Sequence, residues 1–357
     1  MIKLIRPTYK LINLDNLKYN IQEIIKYTSD YKYHFGVVKA DCYNNTIKSI
    51  KTIIEAGVNY LAVSSLEEAL KIRKITDMKI LILEPINIKS IDKAIKNNIT
   101  LTVSSIDYLN KIKNKKCTIH LKINTGMNRL GLNNKEEFDL AYNIISNSNI
   151  YLEGIYTHLY NANDYNITKS QYDLFQNITS SIDLSKVDIV HIPSSDGMIN
   201  YPKMDFVNGC RLGIIMYGFN NKLKLKDVFS VKSKIIEIHK LKKGDTLGYN
   251  GTYKACCDTL IGVIPIGYAD GIIRENKNRY VYINDKKYYI VGNICMDMLF
   301  VKIDDTVKVN DNVDIIKDNS HMLYISKYLN TIPYEVMCLI KRVNTKYVIC
   351  KTKENGI

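Results

Sequence analysis

The sequence predicts an α/β chain: a (β/α)8 TIM-type barrel followed by a mostly β C-terminal domain. Three observations carry this. Short strand-like runs alternate with helix-like runs up to about residue 221, as a parallel barrel requires. Helical periodicity then fades, and short apolar runs separated by turn residues replace it. The length, 357 residues, suits two domains at roughly 150 residues each. The barrel is placed at 1–225 and the β domain at 226–357, with residues 1–12 expected to pair with the β domain. An open doubly wound sheet is the alternative for the first part, but no GxGxxG follows the first strand, which weakens a dinucleotide-binding reading.

The elements follow in order. Leu17, Ile21, Ile24 and Ile25 share one face of a first helix. Eight runs rich in Val, Ile, Leu and Tyr read as buried strands: Tyr33–Ala40, Tyr60–Ser65, Ile80–Glu84, Ile99–Val103, Thr118–Asn124, Leu152–His158, Ile189–Ser194 and Leu212–Tyr217. Ile47, Ile50, Ile53 and Ile54 mark a helix after the first of these. Ser65 followed by Leu-Glu-Glu opens another, with a hydroxyl cap and acids in the first turn. Beyond 226, strands are expected at Ser230–His239, Thr259–Pro265, Arg279–Ile283, Lys287–Val291, Leu299–Ile303 and Val313–Ile316. Turn residues such as Lys243-Gly244-Asp245 separate them, and one helix interrupts them at roughly Ile325–Leu329.

Composition excludes several classes. The 46% hydrophobic content rules out a disordered chain, and 17 Gly with 6 Pro rule out a collagen-like repeat. No apolar run approaches the ~18 residues of a membrane helix, and the first residues lack the apolar core of a signal peptide. No membrane association and a cytoplasmic location are therefore expected. The net charge of +14 invites a nucleic-acid partner, but only seven of the 50 basic residues are arginine and the lysines are scattered. Base readout favours clustered Arg, so a solvated Lys-rich surface is the better reading. The eight cysteines form no CxxC pair, so reduced thiols are expected and no metal site.

In a barrel, active groups sit at the C-terminal ends of strands. The first strand runs into Val38-Lys39-Ala40, with Tyr43 four residues on. Lys39 is either a solvated lysine or an amine whose pKa burial lowers for covalent chemistry. The fifth leads to Asn124-Thr-Gly-Met-Asn-Arg129-Leu-Gly131, where Arg129 can clamp a carboxylate. The sixth ends at His158, which is also readable as a core histidine. The seventh gives Ser194-Ser195-Asp196-Gly197, hydroxyls suited to a phosphate or simply to a helix cap. At the eighth, Arg211-Leu-Gly213-Ile214 has apolar flanks, so Arg211 should be partly buried and have a partner.

Together these residues resemble the alanine racemase family of pyridoxal-phosphate enzymes. Eight segments match in order over nearly the whole chain: Arg6-Pro-Thr-Tyr with Leu14-Asp15, VVKADCYNN (37–45), NTGMNRLGL (124–132), IYTHLYNAND (155–164), RLGIIMYG (211–218), GYNGTY (248–253), IPIGYADG (264–271) and ICMDM (294–298). The resemblance implies a homodimer with shared active sites, acting on a small amino acid and supplying D-alanine for peptidoglycan. Lys39 is then the lysine that holds the cofactor and one of two bases. Tyr249, from the second subunit, is the other. His158 lies on the cofactor ring. Arg211 faces the ring nitrogen, disfavouring its protonation. Tyr43, Ser195, Gly213, Ile214 and Tyr347 hold the phosphate, Gly213 and Ile214 through backbone N–H. Arg129 and the backbone N–H of the partner's Met296 hold the substrate carboxylate. Tyr268, Asp297 and Asp164 line the entrance. Lys122 matches a lysine often carbamylated in the family, and the carbamate would pair with Arg129.

The chain departs from the family pattern at Asp41, at Asn44-Asn45-Thr46, at Ser194, at Asn124 (usually Asp), and near Lys341 and Asn344. These departures keep serine open as a substrate beside alanine, because a methyl-sized difference in a pocket is worth only ~1–3 kcal/mol. Two remoter readings share parts of the architecture, a decarboxylase and a non-catalytic cofactor-binding protein. The first would call for an acid in place of Arg211, and the second would not need the β domain with Tyr249.

Overall fold

The computed structural model describes residues 6–349. They form two compact units: 18–225, and 6–17 together with 226–349.

The first unit is a closed parallel barrel of eight strands. After a first strand β1 (Tyr9–Asn13), which belongs to the other unit, the barrel strands are β2 (Tyr33–Val37), β3 (Tyr60–Val63), β4 (Ile80–Ile82), β5 (Ile99–Val103), β6 (Thr118–Lys122), β7 (Tyr151–Tyr156), β8 (Ile189–Ser194) and β9 (Gly209–Leu212). Helices cross between them. Leu17, Ile21 and Ile24 are fully buried on the helix Leu14–Tyr27, as their spacing predicts. Ser65 caps the next-but-one barrel helix, its hydroxyl accepting from the Glu68 N–H at 3.3 Å. The barrel interior is packed with rings: Phe35 stacks on Tyr60 and on His191, each at 4.5 Å, and Tyr156 stacks on His191 at 4.5 Å.

Two expectations need correction here. The eighth strand is not Leu212–Tyr217 but Gly209–Leu212, so Arg211 lies within it rather than before it. The apolar run after it breaks at Gly213 and becomes a short 3-10 helix, Ile214–Tyr217. The first strand stops at Val37, before Lys39, because the backbone there turns left-handed.

The second unit is built on a nine-stranded sheet. Its strands are β10 (Phe229–Lys234), β11 (Glu237–Leu241), β14 (Thr259–Ile264), β15 (Tyr280–Ile283), β16 (Lys286–Val291), β17 (Leu299–Ile303), β18 (Asn312–Ile316) and β19 (Asn344–Val348), joined by β1; a small ribbon of β12 (Thr246–Leu247) and β13 (Tyr253–Lys254) stands apart. β1 pairs antiparallel with β10 and parallel with β19, placing Ile12 opposite Tyr347. The single expected helix is two: Asn319–Tyr328, capped by Asp318, and Pro333–Leu339, opened by its proline.

Candidate active site

Lys39 stands two residues past β2. The chain then passes through Ala40, Asp41, Cys42, Tyr43 and Asn44 with φ between +52° and +65°, one turn of left-handed helix. Such residues cost about 1–2 kcal/mol each. Local bonds offset this: Ala40 N–H donates to Glu68 Oε1 at 2.7 Å, Asn44 N–H to the Ala40 carbonyl at 2.9 Å, and Ile47 N–H to Asp41 Oδ1 at 2.7 Å. The acid at position 41 is thus a cap for the segment that follows.

The turn carries Tyr43 back to the mouth of the barrel. A Cβ built on Gly213 would lie 3.2 Å from the Tyr43 hydroxyl and 3.4 Å from the Ser195 hydroxyl. Two hydroxyls and the Gly213–Ile214 backbone therefore converge on one spot. Ile214 opens a helical turn, whose first N–H groups have no acceptor within it. That donor set suits a phosphate.

Arg211 is the buried cation of the site, 3% exposed. Its Nη1 donates to His191 Nδ1 at 2.6 Å and to the His191 carbonyl at 3.0 Å. Its Nη2 donates to the carbonyls of Ile192 (2.7 Å) and Thr157 (2.9 Å) and to His158 Nδ1 (3.2 Å). Nε–H alone among its donors has no acceptor in the described residues. Burial brings its pKa down to about 10, so the guanidinium keeps its charge near neutral pH. Burial, then the charges of Arg211, Arg129, Lys122 and Lys39, push the His158 imidazole down to about 3. His158 is neutral, with Nδ1 accepting.

Lys122, 5% exposed, ends β6. Burial and the charges of Arg129 and Arg211 lower its amine to about 8. It lies 5.5 Å over the Tyr156 ring. Arg129 is exposed beside a hollow of about 630 Å³ and has no acceptor among the described residues. The loop between them hangs on Asn124. Its Oδ1 accepts from the N–H of Gly126 (3.2 Å) and Asn128 (2.9 Å), while Nδ2 donates to Asn128 Oδ1 and Asn133 Oδ1, both at 2.9 Å. An aspartate could not make the last two bonds. Asp164 caps the helix Tyr165–Ile178 through the Ile167 N–H at 3.0 Å.

The remaining expected residues lie in the β unit. Tyr249 is 70% exposed on the turn after β12. It shares a hollow of about 400 Å³ with Met296 and Asp297. Tyr268 heads a turn held against the next loop: its N–H donates to the Cys295 carbonyl and that of Ala269 to the Met296 carbonyl, both at 3.0 Å. Gly267 permits this approach, since a Cβ there would stand 2.3 Å from the Cys295 oxygen. Tyr347 is part-exposed on β19.

Further residues of consequence carry no role that the sequence assigns. Asp270, buried, accepts both Arg6 Nη1 and Nη2 at 2.7 Å and Arg342 Nε at 3.0 Å, and Arg342 also pairs with Asp297. Inside the barrel, His191 Nε2 lies 2.9 Å from His120 Nδ1, and His120 Nε2 lies 3.2 Å from Glu153 Oε2. The readable signal was Glu153-Gly154, an acid and a glycine inside a strand, which marks a bulge. Among the described residues, no group of three His, Cys, Asp or Glu is placed to hold a metal, and no helix is long and apolar enough to cross a membrane.

The chain matches the family model for the alanine racemase N-terminal domain over residues 12–221 and that for the C-terminal domain over 228–347. It is 34% identical to an alanine racemase of Clostridium tetani, over 98% of this chain and 97% of that one. It is 33% identical to that of Anoxybacillus flavithermus, over 94% and 93%. Among solved structures, alanine racemase of Clostridium difficile superposes with a TM-score of 0.91 at 32% identity, covering 97% of both chains. That of Bacillus anthracis with bound L-Ala-P gives 0.91 at 27% identity, covering 98% of this chain and 96% of that one.

Proposed function

The chain belongs to the alanine racemase family and is an amino-acid racemase; on that premise we propose that it interconverts L- and D-alanine with pyridoxal phosphate held at the barrel mouth. One observation carries the reading. Lys39 follows the end of β2, and the hydroxyls of Tyr43 and Ser195 gather at Gly213. The cradle fits the phosphate, and the unused Nε–H of Arg211 fits a ring nitrogen that accepts.

When bound, the cofactor supplies an electron sink that makes the substrate's α-proton removable. Lys39 holds it through Nζ and exchanges a proton on one face of the α-carbon. Tyr249 of a second subunit serves the opposite face, since inversion needs removal and delivery on different faces. Its 70% exposure suits a group that completes a neighbour's site. Arg211, charged and buried, disfavours a proton on the ring nitrogen and so restrains side reactions. His158, neutral, would stack on the ring. Ile214 offers its N–H to the phosphate, and Tyr347 keeps its assignment there on the resemblance. Arg129 and the N–H of the second subunit's Met296 take the substrate carboxylate, while Tyr268, Asp297 and Asp164 line its approach. Lys122, with its lowered pKa, adds to carbon dioxide through the free amine, releasing a proton and forming a carbamate that pairs with Arg129. A cytoplasmic homodimer supplying D-alanine for peptidoglycan completes the reading.

The test is spectroscopic. Protein with pyridoxal phosphate should show the visible band of the covalently held cofactor, and Lys39→Ala should abolish it. A wild-type protein that gains no band defeats the proposal.

A further inference from the structure

A single buried chain of hydrogen bonds runs through the barrel from Arg211 to Glu153. An arginine only donates, so the Nδ1 of His191, 2.6 Å from Nη1, is a bare lone pair. Burial, then the charge of Arg211, hold the His191 imidazole well below its usual pKa. Being neutral, it carries its proton on Nε2, which faces His120 Nδ1 at 2.9 Å. His120 Nδ1 must then accept. Its own proton sits on Nε2, 3.2 Å from Glu153 Oε2. The same carboxylate accepts from the Tyr60 hydroxyl at 2.6 Å and pairs with Lys79. Every donor in the chain points the same way, from the cation at the mouth to the anion deeper in the barrel.

The fold is shaped around this chain. Strand pairing places Ile119 opposite Leu152 but His120 opposite Gly154, so Glu153 is the extra residue of a bulge and turns inward. A Cβ on Gly154 would lie 2.6 Å from the His120 ring. Glycine is what lets the ring reach Glu153. Phe35 and Tyr156 sandwich His191, each at 4.5 Å, and fix its plane.

We infer that Glu153, acting through His120 and His191, is a positioning residue for Arg211. The anion makes His120 Nδ1 a stronger acceptor, which in turn strengthens His191 Nδ1, because bonds in a directed chain polarise one another. Nη1 is thereby anchored to His191, Nη2 stays on its carbonyls, and Nε–H is left for an acceptor outside the described residues. The inference rests on the reading that Arg211 faces the cofactor's ring nitrogen.

Nitrogen-15 spectra of labelled histidines, recorded with and without pyridoxal phosphate, test the chain apart from turnover. In the wild type, both His120 and His191 should be neutral with the proton on Nε2. Glu153→Gln should shift the His191 Nδ1 resonance, two links away. It should also lower kcat about tenfold with KM within about twofold, as loss of an orienting partner does. Glu153→Asp, which keeps the charge but retracts it, should do both in smaller measure and serves if the first variant does not fold. A wild-type His191 protonated on Nδ1, or variants in which neither the His191 resonance nor kcat moves, would overturn the inference. A wild type with the expected tautomers but no cofactor band would instead defeat the cofactor reading and leave the chain's geometry standing.

Discussion

A methyl group on Gly213 would stand 3.2 Å from the hydroxyl of Tyr43. The two residues come from opposite ends of the barrel sequence and meet because β2 and β9 are neighbours that close the sheet. Gly213→Ala should therefore crowd the phosphate cradle while leaving the barrel folded. A tenfold weaker affinity for pyridoxal phosphate, about 1.4 kcal/mol, is expected in an absorbance titration. Unchanged affinity would remove Gly213 from the phosphate site.

Asp270→Asn should loosen the β domain. The carboxylate is buried and accepts from Arg6 and Arg342, which themselves keep contact with solvent. A loss of about 2 kcal/mol, the worth of its charge-assisted bonds, is expected in denaturant melts. A smaller loss of activity per folded molecule should accompany it, because Arg342 also holds Asp297 beside Met296. A variant as stable as the parent would show that the cluster is replaceable.

The pH dependence of stability has a definite sign at Glu153. Burial raises its pKa, but the bonds from His120, Lys79 and Tyr60 outweigh that and bring it down to about 2. A carboxyl depressed on folding stabilises above its unfolded pKa of ~4.3. That stability is lost as pH falls from there toward about 2. Acid melts of the wild type should thus weaken over this window, and those of Glu153→Gln should weaken less. Equal acid sensitivity in the two proteins would contradict the assignment.

Lys122 should take up labelled carbon dioxide near neutral pH, since its amine, at about 8, is partly unprotonated there. A carbamate signal in carbon-13 spectra, absent in Lys122→Met, is the expected result. Without that signal, Arg129 must find its anion elsewhere.

Much of this was readable in the chain itself. The barrel strands announced themselves as apolar runs, and Ile99–Val103 and Ile189–Ser194 carry the expected limits. The motif at 37–45 singles out Lys39 and Tyr43, yet not the left-handed turn that joins them. Five consecutive positive φ values in non-glycine residues leave no mark in propensity or periodicity. The eighth strand was displaced because Gly209-Cys-Arg-Leu contains a charge and Leu212–Tyr217 does not; burial of Arg211 against carbonyls and imidazoles reverses that preference. The His120–Glu153 contact depends on a bulge that shifts alternation by one, so counting by twos could not reveal it.

Whether the chain racemises alanine with two bases is decided by loading it with pyridoxal phosphate, adding L-alanine, and following both enantiomers by chiral chromatography, with Tyr249→Phe alongside. The parent should convert it to an equal mixture, and the variant should show suppressed interconversion with its cofactor band intact. Faster turnover of serine than of alanine would contradict the substrate, and undiminished racemisation by Tyr249→Phe would contradict the two-base assignment.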